Sequence, residues 1–265
     1  MMPAGESRRE LRELAGLRVA VAGDGRLHLG DDVRPVEPDV RRLSDMTPVL
    51  YDPDAPGPDE MYYMYRGVMR PEDAAAFAAH DMRYDITVLV PGQVGVEYVK
   101  TAGHYHDIAP ETGLPYPELY QVISGRACYI LQRPAGDPGV VEAVAAVDAG
   151  PLDTVLVPPG YGHVTVNAGT EPLVMANLVQ ASFSSLYDEY RRRGGAAYYV
   201  VRGGDARAYV SNRNYDSVGG LRMVAAREWP DAGMGGQRPL YRAFLDDPGR
   251  YQFLVRPQDA TGEYP

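Results

Sequence analysis

From Tyr84 onward, short β-rich runs follow one another at 84–90, 95–100, 119–124, 127–132, 139–147, 154–157, 163–167 and 172–179, with Gly and Pro between them. No helical period intervenes. The stretch therefore predicts an all-β barrel or double-sheet sandwich rather than alternating βαβ units. Outside it the pattern changes. Residues 6–15 have helical composition, with Glu6, Arg9, Glu10 and Glu13 at spacings that pair across one turn. "LRVAVAGDGRLHLG" sets two apolar runs about Asp24-Gly25, a hairpin signal. Residues 46–60 are rich in Pro and Asp and read as loop, and Pro71 opens a helical pattern in "PEDAAAFAAH". A short helix is expected over 184–194 and a further hairpin about Gly203-Gly204. The expected organisation is an N-terminal extension over 1–60 packed on a barrel over 61–215, then an irregular C-terminal appendage over 216–265.

Composition narrows the function more than the fold. A chain of 265 residues can bury a full core. Its formal net charge of -10 argues against nucleic acid or an anionic membrane as partner. An acidic chain can still bind a phosphorylated metabolite where a metal or backbone N–H groups supply a local positive field. Cys128 is the only cysteine, which excludes an intrachain disulfide. The opening "MMPAGESRRELRELAG" has no apolar core of a secretory signal, and no stretch approaches the roughly 20 apolar residues that span a bilayer. The cytoplasm is the expected compartment.

Candidate chemistry lies with the histidines. Three of the five fall in two β-turn-β contexts: "GHYH" with His104 and His106, and "PPGYGHVTVN" with His163. Residues i and i+2 of a strand face the same side, so His104 and His106 can present two imidazoles to one metal. Tyr105 would then project away from them. Two glutamates compete as a carboxylate ligand: Glu111 in the loop "APETGLP", and Glu118 at the mouth of the predicted strand "ELYQVISG". A ligand belongs on a rigid element, which favours Glu118. Imidazoles with a carboxylate suit one divalent transition metal per subunit: Fe, Mn, Ni, Co or Zn.

The two segments resemble the two motifs of the cupin family. The first reads Gly103, His104, His106, Glu118, Gly125, and the second Pro158, Gly160, His163, Asn167. Two spacings depart from that pattern. Eleven residues separate His106 from Glu118, and Gly150 sits early before the second motif. From about Val40 to Tyr199 the chain resembles the archaeal-type glucose-6-phosphate isomerases within the cupins. The likeness is carried by "VRRLSDM", "YYMY", "TVLVPGQVG", "KTAGHYH" and "PPGYGHVTVN". It implies a double-stranded β-helix (a jelly-roll barrel), a homodimer, and interconversion of glucose 6-phosphate and fructose 6-phosphate with a divalent metal. By position it implies His104, His106, Glu118 and His163 as metal ligands and Glu118 as the proton carrier. Thr87, Thr101 and the Gly103 backbone would hold the phosphate, helped by Tyr62 and Tyr120. Strand threonines are common, so a plain structural role for Thr87 and Thr101 stands beside this one. Some shorter members carry a tyrosine in the strand after the third histidine. This chain has Leu178 there, which leaves a polar contact to the sugar from that strand in question. The rival readings are another metal-cupin enzyme, such as a different sugar-phosphate isomerase, an epimerase or a dioxygenase, and a non-enzymatic sugar-binding cupin.

Overall fold

A computed structural model describes residues 8–204, 206–226 and 238–260. Two large sheets build the all-β barrel. One runs in the order Thr154–Val157, Glu118–Ser124, Leu173–Gln180, Met82–Leu89, Glu60–Tyr65, Asp39–Arg42. The other runs Gly162–Val166, Ala127–Ala135, Asp137–Ala149, and ends on Ser217–Val218, with Leu221–Ala225 on the same edge. This is the cupin double-stranded β-helix. Among the described residues, no helix is long and apolar enough to cross a membrane.

The inner strands of the six-stranded sheet are buried on both faces, while its edge strand Asp39–Arg42 is not. The sheet's inner face lines the barrel. Behind it pack the helices Ala74–Ala79 and Leu240–Asp246, with Phe77 and Phe244 ring centroids 4.6 Å apart and Tyr241 edge-on to Tyr84 at 5.2 Å. Burying Phe244 alone is worth about 1.5–3 kcal/mol. Gln121 fastens the C-terminal segment: its Nε2 donates to the Arg238 carbonyl at 2.9 Å and its Oε1 accepts the Leu240 N–H at 2.6 Å. Every residue of Glu118–Ser124 is buried as a result. Such strands read as near-continuous apolar runs rather than alternating ones.

Several local expectations change. The helix expected over 6–15 is confined, among the described residues, to Arg12–Ala15, and Arg9–Glu10 pairs as a strand with Ala20 and Val21. Residues 6 and 7 lie outside the described residues. Charge pairs one turn apart contribute only about 0.2–0.5 kcal/mol each, too little to hold a helix against strand pairing and the burial of Leu11. The hairpin about Asp24-Gly25 forms as Val19–Val21 and Leu27–Leu29. Of the run 95–100, only Glu97–Tyr98 is strand. Lys100 turns inward instead. Its Nζ lies 2.5 Å from Glu97 and donates to the Val49 carbonyl at 2.6 Å, while Glu97 Oε2 accepts the Tyr51 N–H at 2.8 Å. The helix expected over 184–194 narrows to Asp188–Arg192, because Ser185–Leu186 pairs with Tyr105–His106.

Regular pairing also reaches into the C-terminal stretch. Ser217–Val218 and Leu221–Ala225 both run parallel to the thirteen-residue strand Asp137–Ala149, with Gly219-Gly220 between them. Residues 227–237 and 261–265 of the expected appendage lie outside the described residues.

Candidate active site

The histidine-bearing segment is held at the barrel mouth by backbone pairing. His104 and His163 form an isolated bridge, with N–H to carbonyl distances of 3.2 and 3.1 Å in the two directions. Gly103 makes this approach possible. Its φ is +78°, and a Cβ there would meet Val164 Cγ2 at 2.5 Å and the Tyr190 ring at 2.6 Å. A residue with a side chain would be strained in backbone and blocked in space. Tyr105 turns away from the two histidines, as strand geometry requires; its hydroxyl accepts from Gln132 Nε2 at 2.7 Å.

The eleven-residue spacer after His106 folds back on itself. Ile108 bridges Pro115, Ala109 N–H donates to Leu114 O at 2.9 Å, and Tyr116 N–H donates to Asp107 O at 3.1 Å. The loop closes where it opened, so Glu118 enters its strand beside His106 despite the long insertion. Glu118 is only 2% exposed, while Glu111 rides on the exposed part of the loop. The geometry therefore brings Glu118, and not Glu111, to the histidines.

One potential ligand atom from each of His104, His106, Glu118 and His163 falls within a cluster where all lie within 4.8 Å of one another. Glu118 Oε2 is 3.3 Å from His106 Nε2 and 3.6 Å from His163 Nε2. His106 Nδ1 is spoken for, donating to the Tyr116 carbonyl at 2.6 Å. That bond fixes the tautomer and aims Nε2 inward, the usual arrangement behind a metal-binding imidazole. His104 Nε2, His106 Nε2 and Glu118 Oε2 are buried without a hydrogen-bond partner, while His163 turns Nε2 toward Glu118. Three orphaned polar atoms in one buried cluster are costly unless something fills it.

Electrostatics agree with a cation there. Burial lowers the pKa of His104 far below the imidazole range and that of His163 to about 3, so both are neutral at pH 7, the form that ligates. Burial by itself would raise the Glu118 carboxyl, but the hydrogen bond with His106 and electrostatic interaction with His163 and His106 outweigh it and hold the group below its ordinary value. Tyr120 moves the other way. Burial, then the Glu118 charge, pushes its phenol far up, so it stays protonated. Its hydroxyl lies 3.1 Å from His163 Nε2. This donor set fits one divalent transition metal held by three imidazoles and a carboxylate.

Beside the cluster lies a cavity whose walls include Tyr62, Thr87, Thr101 and Gly103, together with His104, Glu118, Tyr120 and His163. His106 stands behind Glu118 and is not part of the wall. The hydroxyl oxygen of Thr101 accepts the Thr165 N–H at 3.0 Å and keeps its own hydrogen to donate. Tyr62 accepts the Ala102 N–H at 3.3 Å, and burial lifts its phenol to about 12. Thr87 stands opposite Met64 and Met175 on its neighbouring strands.

Five polar wall residues escaped sequence reasoning: Arg66, Asp85, Asn177, Ser185 and Tyr187. Asn177 bears on the strand after the third histidine. Leu178 is fully buried, paired with Leu119 and Tyr84, on the face away from the cavity. Its neighbour Asn177 stands between Tyr120 and Asp85 in a row across three strands and faces the cavity. That strand does offer the site a polar group. Alternation from Met175, with only Asn177 polar, carried the signal, but the run gave no way to choose between its faces.

A family model for glucose-6-phosphate isomerase (GPI) matches residues 40–218. The chain belongs to this family. The glucose-6-phosphate isomerase of Thermococcus onnurineus (strain NA1) is 30% identical over 177 residues, which span 63% of this chain and 82% of the relative. The glucose-6-phosphate isomerase of Pyrococcus furiosus is 27% identical over 183 residues, spanning 66% and 86%. Among solved structures, oxalate decarboxylase from Bacillus subtilis overlaps 48% of this chain and 28% of its own, at 19% identity and a TM-score of 0.32. The GPI family match begins at Val40, the point where Asp39–Arg42 joins the six-stranded sheet, and takes in the whole candidate site.

Proposed function

We propose that this chain is a metal-dependent aldose–ketose isomerase that interconverts glucose 6-phosphate and fructose 6-phosphate. The observation that carries the reading is the buried cluster of ligand atoms from His104, His106, Glu118 and His163, three of the residues with an unpartnered atom there, beside a hydroxyl-lined cavity in a member of the GPI family. A divalent cation, when bound by these four, would supply the positive charge that favours oxyanion character at O1 and O2 of the sugar. The chain's residues do the rest. Thr87, Thr101, the Gly103 N–H and Tyr62 hold the phosphate as neutral donors, and so fix where C1 and C2 come to rest. Glu118 is anionic and presents Oε2 to the imidazoles, leaving its other oxygen to carry the proton between C1 and C2. Tyr120, kept protonated, offers a hydrogen bond to a sugar oxygen. Asn177, next to Tyr120 on the same sheet, reads a hydroxyl of the sugar. The buried ring of Phe183 sits 4.8 Å from His106 and helps keep water out. The cytoplasmic compartment and homodimer expected from the sequence belong to the same reading.

The test is a coupled assay on the purified, metal-quantified chain with fructose 6-phosphate and with free fructose. Close to one divalent metal per chain and turnover of the phosphorylated sugar only are expected. Remote phosphate binding helps to position the reacting carbons, so its loss depresses turnover as well as affinity. No turnover of either sugar by metal-loaded protein, or equal turnover of both, would reject the reading.

A further inference from the structure

A second, outer pocket opens beside the cavity and shares Arg66, Phe183, Ser185 and Tyr187 with it. Its own walls add Arg41, Arg83 and Ser184. Three guanidinium groups at one mouth need explaining in a chain of net charge -10. Ion pairing accounts for two of them. Arg83 Nε donates to both Asp85 oxygens at 3.0 Å, and its Nη1 to the Ala181 carbonyl at 2.9 Å. Arg66 Nε donates to Asp39 at 3.1 Å, and its Nη1 lies 3.6 Å from Asp85. Two carboxylates thus face three guanidiniums. Burial, moreover, raises the pKa of Asp85.

Arg41 is the charge left over. Its guanidinium lies over the Tyr187 ring at 5.5 Å, no carboxylate is seen within ion-pair distance of it among the described residues, and its buried Nε has no hydrogen-bond partner. Arg191 lies over the same ring, also at 5.5 Å. Arg41 is partly buried and meets the Tyr62 and Tyr187 hydroxyls but, among the described residues, no carboxylate. A cation with a spare buried N–H beside hydroxyls from Ser184 and Ser185 is an arrangement for an anion. The inner cavity has a different character, since its phosphate seat is built of neutral donors.

We infer that the outer pocket is a separate binding site for a phosphoryl dianion, where an incoming sugar phosphate is captured before it reaches the cavity. The inference rests on the proposed phosphorylated substrate for its purpose, but not for the binding itself. The physical reason is the field. An acidic protein repels a dianion at long range, and a cationic mouth reverses the sign locally and raises the encounter rate. The shared wall of Arg66, Ser185 and Tyr187 then lets the anion pass from one set of donors to the next without crossing free solvent.

Inorganic phosphate, titrated calorimetrically at low ionic strength into the full chain both metal-loaded and chelated, tests this. The chelated chain removes any phosphate bound to metal. Two phosphates per chain are expected in both forms. Ser184→Glu puts a carboxylate in the outer pocket at a residue that does not line the cavity. It should weaken one phosphate at least ten-fold and leave the other. Arg41→Met, which keeps the apolar stem, should weaken the same one most, with a smaller effect on the other through the lost contact to Tyr62. Thr101→Val should remove the other and spare it. A wild-type chain binding one phosphate, lost in Thr101→Val, unchanged in Ser184→Glu and at most slightly weakened in Arg41→Met, would overturn the outer site. Phosphate binding lost in Ser184→Glu but untouched in Thr101→Val would uphold the outer site and overturn the neutral phosphate seat instead.

Discussion

His106 donates from Nδ1 to the main-chain oxygen of Tyr116, 2.6 Å away, and this bond joins the two ends of the long spacer. It turns the imidazole so that Nε2 meets Glu118 at 3.3 Å. The exposed turn with Glu111 is left outside. Glu118→Gln should therefore lower turnover of fructose 6-phosphate at least about 100-fold, the scale of a lost general base, and lower metal content as well. Glu111→Gln should stay within about two-fold on both, as surface changes usually do. Steady-state rates and metal analysis of the two variants check the ranking, and the reverse order would move the carboxylate role into the loop.

The proton-carrying role of Glu118 predicts an isotope result. In deuterated water, deuterium should enter C1 of fructose 6-phosphate or C2 of glucose 6-phosphate, because a carboxylate at an open cavity can trade its proton with solvent between turnovers. Incorporation below one atom per turnover is expected when transfer outpaces exchange. No deuterium after many turnovers, read by mass spectrometry, together with near-normal activity of Glu118→Gln, would point to a direct hydride shift.

Lys100, the only lysine in the chain, is buried against Glu97 at 2.5 Å and against the Val49 carbonyl. Lys100→Met leaves the Glu97 carboxylate buried with only the Tyr51 N–H as partner. Breaking one side of such a pair costs about 3–5 kcal/mol. Urea unfolding should show that loss, and Lys100→Met/Glu97→Gln should recover part of it. A single variant as stable as wild type would mean that the pair is solvated.

Acid should weaken the metal-free chain through His163. Its imidazole is pushed down to about 3 in the fold, against about 6.5 when unfolded. Between those values the unfolded chain holds more protons, so stability is present above about 6.5 and is lost as pH falls toward 3. From this one group the loss by pH 5 is about 2 kcal/mol. Urea midpoints of chelated protein at pH 7 and pH 5 measure it, and His163→Asn should flatten the dependence. Equal pH dependence in both would remove His163 from the account.

The motifs were legible because each depends on local geometry. A His-x-His pair on a strand and a Pro-x-Gly turn before a third histidine have nearly one way to fold. Thr87, Thr101, Gly103, Tyr62 and Tyr120 were found by resemblance, and the fold gathers them on one wall. Arg41, Arg66, Asp85 and Asn177 were not found, for two reasons. Leu173–Gln180 is buried throughout, so polarity did not reveal which face Asn177 takes. Arg41 and Arg66 lie far from the histidines in sequence, in a chain where arginine is common, and only the pairing of Asp39–Arg42 with Glu60–Tyr65 carries them to the mouth. The helix expected over 6–15 failed for a related reason, since surface charge spacing says nothing of what the backbone will pair with.

The two short parallel strands beside Asp137–Ala149 have a protective consequence. A long strand with one side bare is a template for any other chain that arrives extended, including a second copy of itself. Here the protein answers its own invitation with Ser217–Val218 and Leu221–Ala225, and leaves as its new border two scraps broken at a glycine pair. Cut the chain at residue 216, and the barrel and its histidines would still be encoded. What the molecule would lose is its hem: thirteen residues of open backbone, ready to stitch one copy to the next.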